Sequence, residues 1–211
     1  MKVPEHAPAV GHFLQTERLE LRRFTADDAE LLIELDSDPA VMRYLTGGEP
    51  ENAPDLVRGR VLPSIVAGYE RWDGNLGLFA AYVLDSDVFI GWYCLRPERD
   101  DPMDEVELGY RLRRQAWGNG YATEGSQALL EKAFTELDVR SVWGATMASN
   151  LPSQNVMEKI GMQVARKIPT PDDMLEVEGS ALGGLQYEIT KEQWEQQHEG
   201  RARGPATTSA R

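Results

Sequence analysis

One carboxylate interrupts an apolar segment near the middle of the chain. In the run from Val106 to Leu112, apolar residues alternate with Glu107, Gly109 and Arg111, which is the periodicity of a half-buried strand. A carboxylate among apolar neighbours can accept a proton from a bound nucleophile. It can also form a structural ion pair with an arginine, so both roles are open for Glu107 from these residues alone.

A glycine-bearing turn follows this strand and leads into a helix. It spans residues 115–122, sequence QAWGNGYA, and apolar residues recur at helical spacing after it, from Leu129 to Leu137. Glycine allows backbone conformations that other residues avoid and leaves room for a ligand. A helix N-terminus presents unpaired N–H groups and the positive end of its dipole, so the turn could cradle a phosphate. Three arginines before the turn could add positive potential: Arg111, Arg113 and Arg114.

Three classes of phosphate-binding turn can be compared with this one. A Walker loop ends in Gly-Lys-Ser/Thr, whereas Gly120 is followed by a tyrosine. A dinucleotide-binding turn has a third glycine where this chain has Thr123. The pyrophosphate loop of acyl-coenzyme A transferases has the pattern Arg/Gln-x-x-Gly-x-Gly/Ala, which Gln115, Gly118 and Gly120 match. An ordinary strand-to-helix turn is the alternative that the pattern leaves open.

The elements that must position these residues follow an α/β order. Residues 104–148 read as strand, loop, helix and strand, which favours a parallel pair of strands. Apolar runs over residues 78–84 and 88–95 are typical of a hairpin in a covered sheet. Thr25 is predicted to cap a helix after the first strand. The other predicted elements are strands over 18–24, 162–168 and 184–189, and helices over 56–72, 150–160 and 190–197.

Length and composition indicate one domain. A chain of 211 residues with 41% hydrophobic and 8% aromatic residues can bury a substantial core. We expect a loose N-terminal arm over residues 1–14, the domain over 15–198 and a disordered tail over 199–211.

Charge and cysteine content limit the partners and the compartment. A net charge of -13 argues against a broad basic face for nucleic acid and is compatible with a cationic substrate such as an amine. The lone Cys94 lies in an apolar run, where a thiol is most often packing, and it cannot form an internal disulfide. The expected compartment is therefore the reducing cytoplasm. The N-terminus lacks the apolar core of a secretory signal and no run approaches the ~20 residues of a membrane span, so no membrane partner is expected.

Four segments in this order carry a resemblance to a known family. They are residues 16–24 (TERLELRRF), Glu107 to Phe134, Asn150 to Gly161, and Tyr187 to Trp194. With them the chain resembles the GNAT N-acetyltransferase superfamily, and most of all the branch of the ribosomal-protein N-terminal acetyltransferases. The resemblance implies a single α/β domain with a mixed, mostly antiparallel sheet flanked by helices. It also implies acetyl-CoA as acyl donor, no metal, and a primary amine acceptor on a protein N-terminus or a small molecule, and it allows a homodimer.

The resemblance further implies roles for individual residues. Glu107 would be the general base. Many family members protonate the leaving thiolate with a tyrosine where this chain has Met157, and the ribosomal-protein branch uses a serine that Ser153 matches. Ser153 could instead only cap its helix. The residues implied to bind the coenzyme are the backbone of Leu108, Tyr110 and Leu112 for the pantetheine arm, Gln115, Trp117, Gly118, Asn119, Gly120, Tyr121 and Ala122 for the pyrophosphate, and Asn150 and Asn155 near the sulfur.

The acceptor and two other classes of protein stay open at this level. Trp72, Trp92, Tyr93 and Trp117 are candidates for the acceptor pocket, although aromatic residues are more often core. An acyl group longer than acetyl, such as succinyl, is compatible with the same residues. A noncatalytic acyl-CoA or antibiotic-binding protein on the same fold is the main alternative, and a nucleotide-binding dehydrogenase or kinase lacks its motifs.

Overall fold

The structure of the protein is a computed structural model that describes residues 11–97, 104–170, 172 and 175–202. The strands are β1 (His12–Gln15), β2 (Leu19–Arg23), β3 (Gly77–Val83), β4 (Val88–Pro97), β5 (Glu105–Leu112), β6 (Ser141–Met147), β7 (Gln163–Ile168) and β8 (Gly184–Thr190). The helices are α1 (Ala29–Asp36), α2 (Pro39–Met42), α3 (Pro54–Leu56), α4 (Leu62–Arg71), α5 (Tyr121–Thr135), α6 (Leu151–Lys159) and α7 (Lys191–Ala202), with a π-helical turn over Val57–Val61. In this part of the chain the strands form one sheet in the order β1-β2-β3-β4-β5-β6-β8-β7.

The middle of this sheet opens between β5 and β6. Among the described strands these two form the one parallel pair, as the order of elements over residues 104–148 predicted. Only residues 105–107 of β5 pair with residues 141–143 of β6, whereas β5 continues to Leu112. The backbone of β5 beyond Glu107 therefore forms no ladder with β6. Its N–H and C=O groups on that side need another hydrogen-bond partner, because buried backbone polar groups are normally paired.

Alternation along β4 and β5 sorts their side chains onto the two faces of the sheet. Tyr93 and Tyr110 pair across the two strands and lie on the α5 side, where a Cβ added to Gly125 of α5 would meet the Tyr93 ring at 2.4 Å. The apolar residues of α5 and α6 pack there against Leu108 in the main core. A second core lies under α1 and α4 on the opposite face, which is the face that Glu107 shares.

The N-terminal boundary differs from the expectation. We expected a loose arm over residues 1–14, but β1 pairs with β2, and the buried Phe13 stacks on Phe79 with ring centroids 3.6 Å apart. A strand of four residues is too short to show a clear period in sequence. Residues 1–10 lie outside the described part of the chain.

Two helix boundaries also differ. Helix α1 begins at Ala29, because the Asp28 carboxylate accepts hydrogen bonds from the backbone N–H and the hydroxyl of Thr25, so the expected cap residue belongs to the preceding turn. Helix α7 runs to Ala202, so residues 199–202 belong to a helix and not to the expected tail. Residues 203–211 lie outside the described residues.

A buried phenol joins α4 to β2 and β3, and its hydroxyl gives a stability prediction. Tyr69 Oη accepts a hydrogen bond from the Phe24 N–H at 3.0 Å and donates one to the Leu78 carbonyl. Tyr69→Phe would leave both backbone groups unpaired, so we expect a loss of roughly 1–3 kcal/mol in the free energy of unfolding. Thermal melts with Tyr44→Phe, a surface phenol, as control would measure it. An unchanged midpoint for Tyr69→Phe would show that water satisfies both groups.

Candidate active site

Glu107 lies in a row of side chains that crosses the middle of the sheet. The strand register pairs it with Arg96 on β4 and Trp143 on β6, and Trp143 pairs with Glu188 on β8. Directly paired residues share a face of a sheet, so these four side chains lie on the face opposite α5. Arg96 forms an ion pair with Oε2 of Glu107, whose side chain is 26% exposed. The carboxylate is therefore both paired with an arginine and accessible to solvent.

Gly109 packs closely on the next strand beside this carboxylate. A Cβ at Gly109 would lie 3.0 Å from Sγ of Cys94 and 4.0 Å from Oε1 of Glu107, so a side chain at this position would press on the thiol. Burial raises the pKa of the Cys94 thiol to about 12. The thiol is protonated at neutral pH and is a poor nucleophile, in agreement with the expected packing role.

The three arginines before the glycine turn are paired with acids of α1 and of the residues that follow it. The pairs are Arg111 with Asp36 (2.5 Å) and Glu51 (3.0 Å), Arg113 with Glu34 (2.7 Å), and Arg114 with Asp38 (3.9 Å). Burial raises the pKa of Asp36, and the Arg111 guanidinium opposes that rise. Carboxylates thus compensate the charge that we expected to act on a phosphate, and these arginines instead connect β5 and the residues after it to α1 and its neighbours.

The turn between β5 and α5 is open to solvent. Gln115 lies in a 3-10 turn over Arg114–Ala116, and residues 117–120 are exposed. Gly118 and Gly120 have φ of +75° and +80°, values that favour glycine. A Cβ at Gly118 would meet no atom within 4 Å. Gly120 is the N-cap of α5 and no side chain caps this helix, so its first N–H groups are available to an anion.

Two side chains of the turn are engaged in shaping it. Trp117 Nε1 donates to the Leu112 carbonyl at 2.8 Å, and the rest of this side chain is 48% exposed. Asn119 Nδ2 donates to the carbonyls of Ala116 at 3.3 Å and Trp117 at 3.1 Å. These bonds hold the backbone of the turn in place. The N–H groups of Ala116 and Trp117 donate to the carbonyls of Arg113 and Arg114, which leaves the N–H groups from Gly118 to Ala122 for a ligand.

A cavity of about 610 Å³ borders the turn and contains two cations that sequence reasoning missed. Arg18 and Lys159 line it together with Gly120, and so do the carboxylates of Glu17 and Glu124. Arg18 is fixed by Glu124 at 2.6 Å, and it donates to the Asn119 carbonyl at 2.9 Å. Both cations are distant from the turn in sequence and come from the segment before β2 and from the end of α6, so no local pattern could have identified them.

The hydroxyl of Ser153 lies beside Tyr110 on the open part of β5. Its Oγ accepts a hydrogen bond from Tyr110 Oη at 3.2 Å, and its backbone N–H donates to Oδ1 of Asn150 at 3.3 Å. The side chain that caps α6 is therefore Asn150, which leaves the Ser153 hydroxyl for other contacts. Asn155 lies on the exposed side of α6, and Met157 is buried in the main core.

The four aromatic candidates for an acceptor pocket separate into different environments. Tyr93 is fully buried and its hydroxyl donates to the Tyr121 carbonyl at 2.6 Å, so it is a core residue and its assignment to the pocket was wrong. Trp92 packs on the second core beside Arg111, whereas Trp72 packs on the edge of the main core. Trp143, which sequence reasoning did not select, shares the row of Glu107 and has a buried indole N–H without a hydrogen-bond partner among the described residues.

A comparison with protein families defines the class of protein. The family model described as "Acetyltransferase (GNAT) domain" matches residues 18–163, which include the open strand, the glycine turn, α5 and α6. The match covers more than half of the chain, so the protein belongs to the GNAT acetyltransferase family. The expected fold is confirmed as well: a single α/β domain with a mixed, mostly antiparallel sheet.

Two individual relatives and one solved structure are similar to this chain. FsC-acetyl coenzyme A-N(2)-transacetylase from Aspergillus fumigatus is 31% identical over 195 residues, which are 86% of this chain and 77% of the relative. YdaF from Bacillus subtilis, whose name places it provisionally among ribosomal N-acetyltransferases, is 26% identical over 181 residues, 85% of this chain and 94% of the relative. A crystal structure of spermidine N-acetyltransferase from Vibrio cholerae in complex with CoA and spermine has the same fold, with a TM-score of 0.66 at 16% identity over 84% of this chain and 98% of that one.

The protein is thus a GNAT-family N-acetyltransferase, and the reading as a noncatalytic binder is not supported. The family also excludes the dehydrogenase and kinase alternatives. Within the described residues no group of His, Cys, Asp and Glu is arranged to hold a metal ion. None of the helices in that part of the chain has the length and apolar character needed to cross a bilayer.

Proposed function

We propose that the protein transfers an acetyl group from acetyl-CoA to a primary amine by direct attack. Glu107 accepts a proton from the amine, and Ser153 gives a proton to the departing sulfur. The observation that supports this most is the open edge of β5. Glu107 borders that edge from one face of the sheet, and Ser153 borders it from the other face through its contact with Tyr110.

The amine side requires a group that removes a proton. An amine attacks a thioester only in its neutral form, and an α-amine with a pKa of about 7.7 to 8.0 loses its proton more easily than lysine at about 10.4. Arg96 binds Oε2 of Glu107, whereas Oε1 lies on the side of Gly109. An amine that approaches the exposed part of this carboxylate can give its proton to Oε1, directly or through water.

The donor side requires a cradle for a diphosphate and a support for an extended arm. The residues present fit such a ligand, because the Gly118 position faces open space and the N-terminus of α5 has no side-chain cap. Bound coenzyme supplies the activated acyl group. The N–H groups from Gly118 to Ala122 would hold its diphosphate, since those of Ala116 and Trp117 donate to carbonyls within the turn, and the backbone of residues 108–112 would hold its pantetheine arm. Contacts from Asn150 and Asn155 stay predictions.

The acceptor surface favours a cationic molecule. Glu188 lies in the row of Glu107, the two carboxylates of Asp36 and Glu51 share the single positive charge of Arg111, and the chain has a net charge of -13. Such a surface attracts an ammonium group to the site by its field. The names of two relatives both indicate transfer to nitrogen, as N(2)-transacetylase in one and ribosomal N-acetyltransferase in the other, which supports a small-molecule amine or a protein N-terminus as the acceptor.

The experiment that tests this proposal follows a labelled acetyl group. The protein is incubated with cell extract and labelled acetyl-CoA, and mass spectrometry identifies the acetylated product, while a thiol assay counts coenzyme released from a panel of amines. We expect one thiol per acetylated nitrogen and no acetyl group on the acid-quenched enzyme. Thiol release by water alone, or a labelled enzyme that forms product, would contradict transfer by direct attack.

A cytoplasmic location is part of the same proposal. It is supported by the lone Cys94, which is buried and reduced, and by the acetyl-CoA that the reaction consumes. Fractionation of the source cells with an antibody to the protein would test it, and recovery of the protein outside the cytoplasm would contradict it.

A further inference from the structure

A second hydroxyl touches Ser153, and the proposed reaction does not use it. Tyr110 Oη donates to Ser153 Oγ at 3.2 Å. Tyr110 belongs to residues 108–112 of β5, which have no ladder to β6, and both side chains are partly buried. The pair therefore lies at the open edge of the strand, on the face that carries α5 and α6.

A serine by itself is a poor source of a proton. Its hydroxyl resembles that of water, a far weaker acid than a phenol, so an alkoxide left on Ser153 would be strongly unfavourable. A phenol has an ordinary pKa of about 10 and can replace the lost proton at a much smaller cost. A serine that serves as a proton donor thus needs a more acidic group behind it, and Tyr110 stands in that place.

We propose that Tyr110 is a positioning residue that orients the Ser153 hydroxyl and restores its proton during acyl transfer. The proposal rests on the role of Ser153 in the proposed function. As the carbon–sulfur bond breaks, its electron pair stays on sulfur, Ser153 Oγ gives its proton to that sulfur, and Tyr110 Oη gives its proton to Oγ. The phenolate then takes a proton from solvent, and Glu107 releases to solvent the proton that it took from the amine, so protons and charges balance.

The surroundings of the pair fit this relay. The Asn150 side chain fixes the backbone of Ser153 by accepting a hydrogen bond from its N–H. Tyr93 is a neighbour of Tyr110, with ring centroids 6.0 Å apart, and its hydroxyl donates to the Tyr121 carbonyl. Met157, which lies on α6 with Ser153, carries no hydrogen-bond donor. Burial raises the pKa of Tyr110, and the hydrogen bond with Ser153 opposes that rise, so the phenol is protonated at neutral pH.

A double-mutant cycle tests whether Tyr110 acts through Ser153. We expect Tyr110→Phe to lower kcat about tenfold and Ser153→Ala at least as much, with KM for acetyl-CoA changed less than about twofold in each. The double variant should lose no more than Ser153→Ala alone, because the two residues form one chain.

Tyr187→Phe is the matched control for this cycle. Tyr187 Oη on β8 also contacts α6, through Glu158 at 3.3 Å, so this variant removes a phenol hydroxyl that bonds to the same helix. We expect its kcat to stay within about twofold of the parent, since Glu158 has no part in the relay. An equal loss in Tyr187→Phe would show that any loosening of α6 slows the reaction, and the proposal would fall.

A second measurement does not depend on turnover. Tyrosine labelled at Cζ reports phenol ionisation by NMR, and the resonance absent from Tyr110→Phe identifies Tyr110. We expect the titration of Tyr110 to move to higher pH in Ser153→Ala, because the hydrogen bond that opposes the rise in pKa is lost. If Tyr110→Phe does not fold, sequence-specific NMR assignment identifies the Tyr110 resonance, and a titration that does not move in Ser153→Ala contradicts the proposal.

The outcomes separate this inference from the proposed function. Full turnover in Ser153→Ala removes the proposed proton donor, and the role of Tyr110 falls with it. Three other results would show that Tyr110 is no relay while Ser153 keeps its role. Ser153→Ala could be slow while Tyr110→Phe is not, or the losses of the two single variants could multiply in the double variant. The third is a Tyr110 titration that does not move in Ser153→Ala.

Discussion

Glu107→Gln is expected to lower kcat/KM for the amine about 100-fold at neutral pH, the lower end of the range for loss of a general base. Glutamine keeps the size of the side chain and an oxygen for Arg96, so the dissociation constant of CoA should change less than about twofold. The defect should shrink as pH rises above the pKa of the amine, since a growing fraction is then neutral without help. Steady-state rates from pH 6 to 10, with calorimetric titration of CoA, measure both effects.

Arg96→Gln distinguishes this role from a purely structural ion pair. If the pair only holds β4 to β5, both variants should lose similar stability and neither should lose much rate. If Glu107 is the base, Arg96→Gln keeps its rate within about tenfold while Glu107→Gln does not. Glu136→Gln, which breaks the exposed pair with Lys132 on α5, is a control with no expected kinetic effect. If Glu107→Gln is as fast as the parent protein across this pH range, Glu107 is not the base.

The parts of the site that sequence could predict are those formed by consecutive residues. Alternation placed Glu107 on a strand face, and the spacing of Gly118 and Gly120 before a helical pattern located the turn. The parallel pair followed from the order strand, helix, strand. Each of these predictions depends on local periodicity or chain order, which a sequence displays directly.

The remaining features depend on register and packing between distant segments. The pairing of Arg96 with Glu107 requires the alignment of β4 and β5, and the contact of Tyr110 with Ser153 requires the docking of α6 on β5. Arg18 lies at the glycine turn because Glu124 and the Asn119 carbonyl hold it there. The charges of Arg111 and its two neighbours are compensated by acids of the preceding segments, which no local pattern indicated.

Adding one methyl group to each glycine of the turn should weaken coenzyme binding about 100-fold. At φ of +75° and +80°, Gly118→Ala and Gly120→Ala strain the backbone by roughly 1–2 kcal/mol per residue. A Cβ at Gly118 meets no protein atom within 4 Å, and one at Gly120 lies 3.5 Å from Arg18 Nη2, so neither clashes within the fold. The methyl groups project instead where a diphosphate would approach the N–H groups. We expect about tenfold from each, near 1.4 kcal/mol, measured as the dissociation constant of CoA.

Gly47→Ala separates backbone strain from obstruction of the cradle. Gly47 has φ of +78°, and its added Cβ would meet only Val177 Cγ2 at 3.8 Å, so the variant carries the same strain away from the turn. It should lower the melting temperature as much as Gly118→Ala does and leave CoA binding within about twofold. The proposed cradle is refuted if Gly118→Ala and Gly120→Ala also bind CoA normally, because a ligand seated on those N–H groups cannot tolerate the methyl groups.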